Sequence, residues 1–146
     1  MLPEKLRYQD YAPLRMRMKR IALAWLLAML NGSAAAEWVG VSDSDDFIVY
    51  ADPDTIRRAG NLVKMSDLTD LKFPRPSPLG KQYSSSTAHS EFDCQDERIR
   101  TLYFTLHSGQ MGGGDLIETV SESSKWLTVA PESVLKILWR FACGRN

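Results

Sequence analysis

The chain has 146 residues, with 18 basic and 18 acidic side chains, two histidines and two cysteines. Six of the basic and two of the acidic groups fall in the first 36 residues, so residues 37–146 carry 12 against 16, a net of minus four. That balance excludes the basic patch of a nucleic-acid binder and the polybasic stripe of a membrane-surface module.

The first segment, RMRMKR followed by IALAWLLAML and NGSAAA, has the three-part form of a secretory signal. Arg15, Arg17, Lys19 and Arg20 supply the positive start, Ile21 to Leu30 the apolar run, and Ala34, Ala35 and Ala36 the small-residue cleavage site before Glu37. A membrane-spanning helix needs about 20 apolar residues. This run is half as long, which predicts a signal peptide cleaved after Ala36 and no stable membrane insertion afterwards. Residues 1–15 precede it as an extension, and Met16 or Met18 would start a leader of ordinary length. Residues 37–146 then form one domain by size.

From Trp38 onward the chain reads as short strands separated by turn chemistry. AEWVGVS and FIVYAD are rich in β-branched and aromatic residues, and the polar SDSDD between them is a turn. DPDTIRRAGN reads as a connection marked by Pro53 and Gly60-Asn61; NLVKMSDLTDL resumes an extended pattern through Val63, Met65 and Leu68. In KFPRPSPLGK, Pro74, Pro76 and Pro78 each lack the backbone donor that a central strand needs, which predicts a stiff loop. YSSSTAHSEFDC alternates into Cys94. RIRTLYFTLHS is the clearest strand, with Leu102, Phe104 and Leu106 on one face and Tyr103, Thr105 and His107 on the other. GQMGGGD is a permissive turn, and LIETVSES returns to the sheet.

The tail changes period. In PESVLKILWRFACG the apolar residues Val134, Leu135, Ile137, Leu138, Trp139, Phe141 and Ala142 leave a narrow polar stripe at 132, 136 and 140. This predicts a helix buried over most of its circumference. Pro131 suits its first position, Glu132 its positive end with Lys136 one turn on, and Gly144 its stop. A sheet and a helix that each carry an apolar face require each other. The expected fold is α+β, an antiparallel β-sheet meander with a C-terminal α-helix packed on one face.

Cys94 and Cys143 both lie beyond the cleavage site, and an exported chain meets an oxidising compartment. Two cysteines allow one internal pairing. A disulfide closing a loop of about 50 residues contributes roughly 4 kcal/mol by the chain-entropy relation. It would tie the end of the helix to the end of a strand.

YSSSTAHSEFDC, DPDTIRRAGN and WLTVAPESVLKILWRFAC together resemble the surface-adhesin protein E family of Gram-negative bacteria. The resembling features are Trp38 soon after the signal, Asp52-Pro53 with Thr55-Ile56 before Gly60-Asn61, and Tyr83-Ser84-Ser85 before Glu91-Phe92-Asp93-Cys94. Trp126, Pro131, Ser133 and Cys143 complete the set, which spans nearly all of residues 37–144. The resemblance implies a small antiparallel sheet with a C-terminal helix held by one disulfide. For adhesive members it implies binding to host matrix and plasma proteins at the cell surface. No cysteine follows the leader to carry a lipid anchor, so the expected address is the periplasm or the medium.

Other chemistries are weaker on the residues. Cys94 as a nucleophile would need an activating base, and His89, five residues upstream, falls on the opposite strand face. His89 and His107 with the two cysteines lack any short ligand spacing for zinc. Asp43, Asp45 and Asp46 lack the glycine and distant glutamate of a calcium loop. GQMGGGD lacks the Lys and Ser/Thr of a phosphate-binding loop, and Ser84 to Ser86 with His89 and Asp93 lack a nucleophile elbow. No catalytic, metal or cofactor residue is therefore assigned.

The expected function is a non-enzymatic exported domain making protein contacts, adhesin-like towards host matrix proteins. A periplasmic structural or accessory subunit is the alternative, and a small hydrolase or ligand carrier stands third. Candidate contact residues are Pro74, Pro76 and Pro78 in a stiff extended segment, and Tyr103 and His107 on the sheet face away from the helix. Mass spectrometry of the exported protein should find Glu37 at its N-terminus; an intact Met1 would remove the export argument.

Overall fold

Sheet hydrogen bonding, once started at a two-residue turn, propagates along both strands until the chemistry of a residue stops it, and here it stops late. In the computed structural model, residues 37–144 are described, so the apolar run and the cleavage site after Ala36 lie outside the described residues. Seven strands follow in order: β1 (Val39–Asp43), β2 (Phe47–Ala59), β3 (Leu62–Pro76), β4 (Gln82–Asp93), β5 (Arg98–His107), β6 (Leu116–Val120) and β7 (Leu127–Thr128). The helix α1 (Val134–Cys143) closes the chain. The first six strands form an antiparallel meander in sequence order, and β7 pairs with the start of β5.

Two segments expected as connections are strand. DPDTIRRAGN continues β2 as far as Ala59, and only Gly60 and Asn61 make the turn, with Gly60 at φ 60°. Pro53 is absorbed by a register shift between Asp52 and Arg57. There the Thr55 hydroxyl donates to the Asp52 carbonyl at 2.7 Å and accepts the Ser66 amide at 2.8 Å. A side chain thus fills the gap in the ladder. Pro74 and Pro76 likewise belong to β3, because β3 beyond Leu71 has no β2 partner and a missing donor there leaves no bond unmade.

Val49, Ala51, Val63, Met65, Phe92 and Ile99 form the apolar face of the sheet, and Leu138, Trp139 and Ala142 of α1 cover it. The Trp139 indole is fully buried, with its Nε1 donating to the Asp93 carbonyl at 2.8 Å. One residue on, Cys94 is bonded to Cys143, with the two Cα atoms 5.7 Å apart. The expected disulfide and helix-on-sheet packing are both present.

The helix differs from expectation at its start and its outer side. Ser133, not Pro131, begins it: the Ser133 hydroxyl accepts the Lys136 amide at 3.1 Å. Glu132 sits at φ 57°, outside the helix, so Lys136 pairs instead with Glu97 at 2.6 Å and lies over the Trp139 ring. Leu135 and Ile137 are exposed, so α1 buries one side rather than most of its circumference. Gly144 ends it in the left-handed conformation, as expected.

Asp67 follows Val63 and Met65 on the helix-side face, between Ala51 of β2 and Ala88 of β4. The buried Ser90 hydroxyl donates to it at 3.0 Å. Burial pushes its carboxyl up to about 7, outweighing that hydrogen bond. The native state therefore holds this proton after the unfolded chain, titrating near 3.9, has lost it. The resulting stabilisation is complete below about pH 4 and is lost as pH rises through about 7.

Removing the disulfide with reductant, or by Cys94→Ser with Cys143→Ser, should cost about 4 kcal/mol and lower the thermal midpoint by on the order of 10 °C or more. An unchanged melt without a gain in free thiol would contradict the bond. Between pH 4 and 7 the wild type should lose roughly 1.4 kcal/mol per unit relative to Asp67→Asn, read from denaturant midpoints. Parallel profiles for the two proteins would show that Asp67 is not the group responsible.

Candidate functional site

The face of the sheet away from α1 is built by strand alternation. Asp52 lies opposite Ser66, Ser66 opposite His89, and His89 opposite Tyr103, which makes one row of side chains across β2 to β5. Trp38 precedes β1 at the same level, next to Val39, which faces Ala51. A bulge puts Tyr103 there: Ser90 opposes Thr101 while His89 opposes Tyr103, leaving Leu102 as the extra residue. Unbroken alternation from the buried Ile99 would have turned Tyr103 towards the helix.

These residues enclose a hollow of about 210 Å³ lined by Trp38, Asp52, Ser66, Thr87, Tyr103 and Thr105. Tyr103 is 47 % exposed and stacks on His89, with ring centroids 5.4 Å apart. His89 Nδ1 lies 3.1 Å from the Ser66 hydroxyl. Burial, and then the Lys64 ammonium, hold the His89 imidazole below its ordinary value. It therefore stays neutral near pH 7. Asp52 is only 4 % exposed; its Oδ1 accepts the Asp54 amide at 3.1 Å, while Oδ2 takes no hydrogen bond among the described residues.

His107 does not join this hollow as an open contact. Its Nε2 lies 2.8 Å from the Thr105 hydroxyl and 3.2 Å from that of Thr87, and those two hydroxyls are 2.6 Å apart. Beside it the glycine-rich turn after β5 folds back over the sheet. Ser85 Oγ donates to the Gly109 carbonyl at 2.6 Å and accepts the Gly112 amide at 2.9 Å; the Met111 amide donates to Asp70 at 2.8 Å. Gly114 allows this closure, since at φ 72° a Cβ would fall 2.7 Å from the Gly109 nitrogen. Half of this face is covered, and the Tyr103 half is open.

The proline segment forms a second surface. β3 loses its β2 partner after Leu71, and β4 before Ser85 has no β5 partner, so residues 72–84 form a two-stranded arm. Arg75 pairs with Tyr83 and Pro76 with Gln82. Ser77, Pro78 and Gly80 then occupy the turn positions that each favours, with the Gly80 amide donating to the Ser77 carbonyl at 2.8 Å. Phe73 and Leu79 on this arm are 69 % and 67 % exposed.

The residues weighed for a hydrolase are engaged separately. Ser85 serves the glycine-rich turn, His89 meets Ser66, and Asp93 pairs with Arg98 at 2.7 Å. That Arg98 bond and the Asp96 amide hold the Asp93 carboxyl below the usual range. Asp43 and Asp46, considered for calcium, pair with Lys72 at 2.8 Å and Arg75 at 3.9 Å. Among the described residues, no three His, Cys, Asp or Glu side chains come close enough together to hold a metal ion.

A family model described as surface-adhesin protein E matches residues 38–144. The chain belongs to the surface-adhesin protein E family. No individually curated protein is similar enough in sequence to count as a match. Among solved structures, protein E of Haemophilus influenzae is 13 % identical and superposes with a TM-score of 0.59, over 77 % of this chain and 87 % of its own. Protein E from non-typeable Haemophilus influenzae is 12 % identical, with a TM-score of 0.55 over 77 % and 79 %. At such identities the likeness is one of fold. Family membership makes this an adhesin-like surface protein, and no helix among the described residues is long and apolar enough to cross a membrane.

Of the residues that carried the resemblance to protein E, Trp126 lies under the guanidinium groups of Arg98 and Arg100, at 5.3 and 4.7 Å. Asp52 and Trp38 reach the hollow. Sequence reasoning found Tyr103 but not its neighbours Asp52, Ser66 and His89. Alternation within each strand already set them opposite Ala51, Met65 and Ala88; the register that aligns them was not visible. Phe73 and Leu79 were also missed, although the flanking prolines marked their segment.

Proposed function

We propose that the mature chain, released by cleavage after Ala36, is a non-enzymatic protein-binding domain of the Gram-negative envelope that engages host matrix protein through the β3–β4 arm. The observation that carries this reading is the exposure of Phe73 and Leu79 on a ribbon that projects past both neighbouring strands. Exposed large apolar groups held together on a projecting element mark contact surfaces. Pro74, Pro76 and Pro78 restrict the arm before any partner arrives, so little conformational entropy is left to lose on docking. Lys72 and Arg75 are tied to Asp43 and Asp46 at its base. Lys81, exposed beside the turn, is the arm's remaining cation.

Family membership and the disulfide support the exported address, since such bonds persist in oxidising compartments. The separate engagement of the serine, histidine and acidic groups supports a binding rather than a catalytic role.

Phe73→Ser combined with Leu79→Ser should weaken binding to immobilised host matrix protein at least tenfold in surface plasmon resonance. The thermal midpoint should stay unchanged, because both side chains lie in solvent. Equal binding by the variant would reject the arm as the contact. Retention of an envelope protein instead of matrix protein would move the domain to an accessory role in the periplasm.

A further inference from the structure

We propose that the hollow lined by Trp38, Asp52, Ser66 and Tyr103 is a binding site for a single neutral sugar ring, separate from the β3–β4 arm.

Size is the first argument. At about 210 Å³ the hollow falls below the roughly 300–1,000 Å³ of sites for drug-sized ligands and suits one six-membered ring. The nature of its walls is the second. Tyr103, exposed over nearly half of its surface and stacked on His89, offers an aromatic plane. Trp38 supplies a second aromatic surface to the same hollow. The axial C–H groups of a pyranose present a positive, apolar face that packs on the negative face of such a ring.

The polar lining is the third argument. Ser66, Thr87 and Thr105 contribute hydroxyls, each able to donate and accept, as sugar hydroxyls also do. Asp52 adds a carboxylate whose Oδ1 takes the Asp54 amide and whose Oδ2 accepts no hydrogen bond among the described residues and faces the hollow. That oxygen is reachable from the hollow, so water or a ligand can donate to it. A sugar hydroxyl would do so through a short charge-assisted bond.

Charge separates this ligand from its nearest rival. A cationic side chain of a partner protein would also favour aromatic walls and one carboxylate. Such a cation needs acceptors only, whereas Ser66, Thr87, Tyr103 and Thr105 line the hollow with hydroxyls that donate as well as accept, and Asp52 is its one carboxylate. Lys64 lies close enough to repel protonation of His89, and it opposes a second cation for the same reason. The lining fits a polyol better than an ammonium group.

The test is a nuclear magnetic resonance titration of the protein with methyl β-galactoside, methyl α-glucoside and N-acetylglucosamine. The first stands for host glycans and the last for envelope polysaccharide. At least one should give saturable shifts confined to the Trp38 indole and the Ser66, Thr87 and Tyr103 amides. Asp52→Asn keeps the Oδ1 acceptor and removes Oδ2, and it should weaken binding at least tenfold with an unchanged melt. Tyr103→Ala should do the same, while Tyr103→Phe keeps the plane and should bind within about threefold of the wild type. The Phe73→Ser and Leu79→Ser variant should bind the sugar normally, which keeps the two surfaces independent. No shift at these residues with any of the three sugars would overturn the proposal. So would shifts there with lysine methyl ester in place of the sugars.

Discussion

The tail of the chain is held to the sheet at one point by two interactions of different kinds. The Trp139 indole donates to the carbonyl of Asp93, and the next residue, Cys94, is bonded to Cys143. A hydrogen bond in a closely packed site resists sliding, and the covalent bond prevents departure. Ten residues of helix are too few to hold themselves in water, where isolated helices shorter than about 12–15 residues are marginal. The helix exists because the sheet gives it an apolar face and an anchor. What the opposite face carries follows from that choice of side: most of the apolar residues of β2 to β5 lie beneath α1, and Leu68 is left for the glycine-rich turn to cover.

Among the described residues no second helix covers the opposite face, which is finished by other means. The glycine-rich turn covers the part near Ser85 and Asp70, using backbone amides as donors to side-chain oxygens. The part near Tyr103 stays open, with a polar lining between aromatic side chains. Local irregularities decide where the division falls. The bulge at Leu102 turns Tyr103 outward, and the shift between Asp52 and Arg57 puts the Thr55 hydroxyl against the Ser66 amide. Each bulge costs ladder bonds locally, and in each case it aims a side chain that a regular strand would point elsewhere.

A second consequence of the meander is unequal strand length. β3 and β4 run on past their neighbours, so their shared end becomes an arm rather than part of the sheet. Prolines serve well there because neither outer edge is needed for pairing, and a strand edge without donors is a poor template for unwanted strand addition. The same prolines that appear to break a strand in the sequence therefore protect one in the fold. The arm and the hollow stand on separate parts of the sheet, each built by a departure from regular pairing.

Much of this was legible from residues alone. Periodicity identified β5 and the helix, turn chemistry placed Gly60, Gly114 and Gly144, and the count of two cysteines left one internal pairing. These are local properties, set by the conformational range of glycine, by side-chain alternation and by the arithmetic of pairing. The strands running through Pro53 and Pro74 were not legible, because a proline ends a strand only when a neighbour needs its missing donor, and neighbours are assigned by the fold. The helix start shifted from Pro131 to Ser133 for a similar reason: Lys136 found Glu97 on the β4–β5 turn instead of Glu132 beside it. The row from Trp38 to Tyr103 joins residues up to 65 positions apart, and only register across five strands aligns them. The sequence alone determined most of the extended segments, the one that coils and which sulfurs meet. Tertiary structure decided which face stayed open and what stands on it, since a shift of a single residue in register reverses every side chain of a strand.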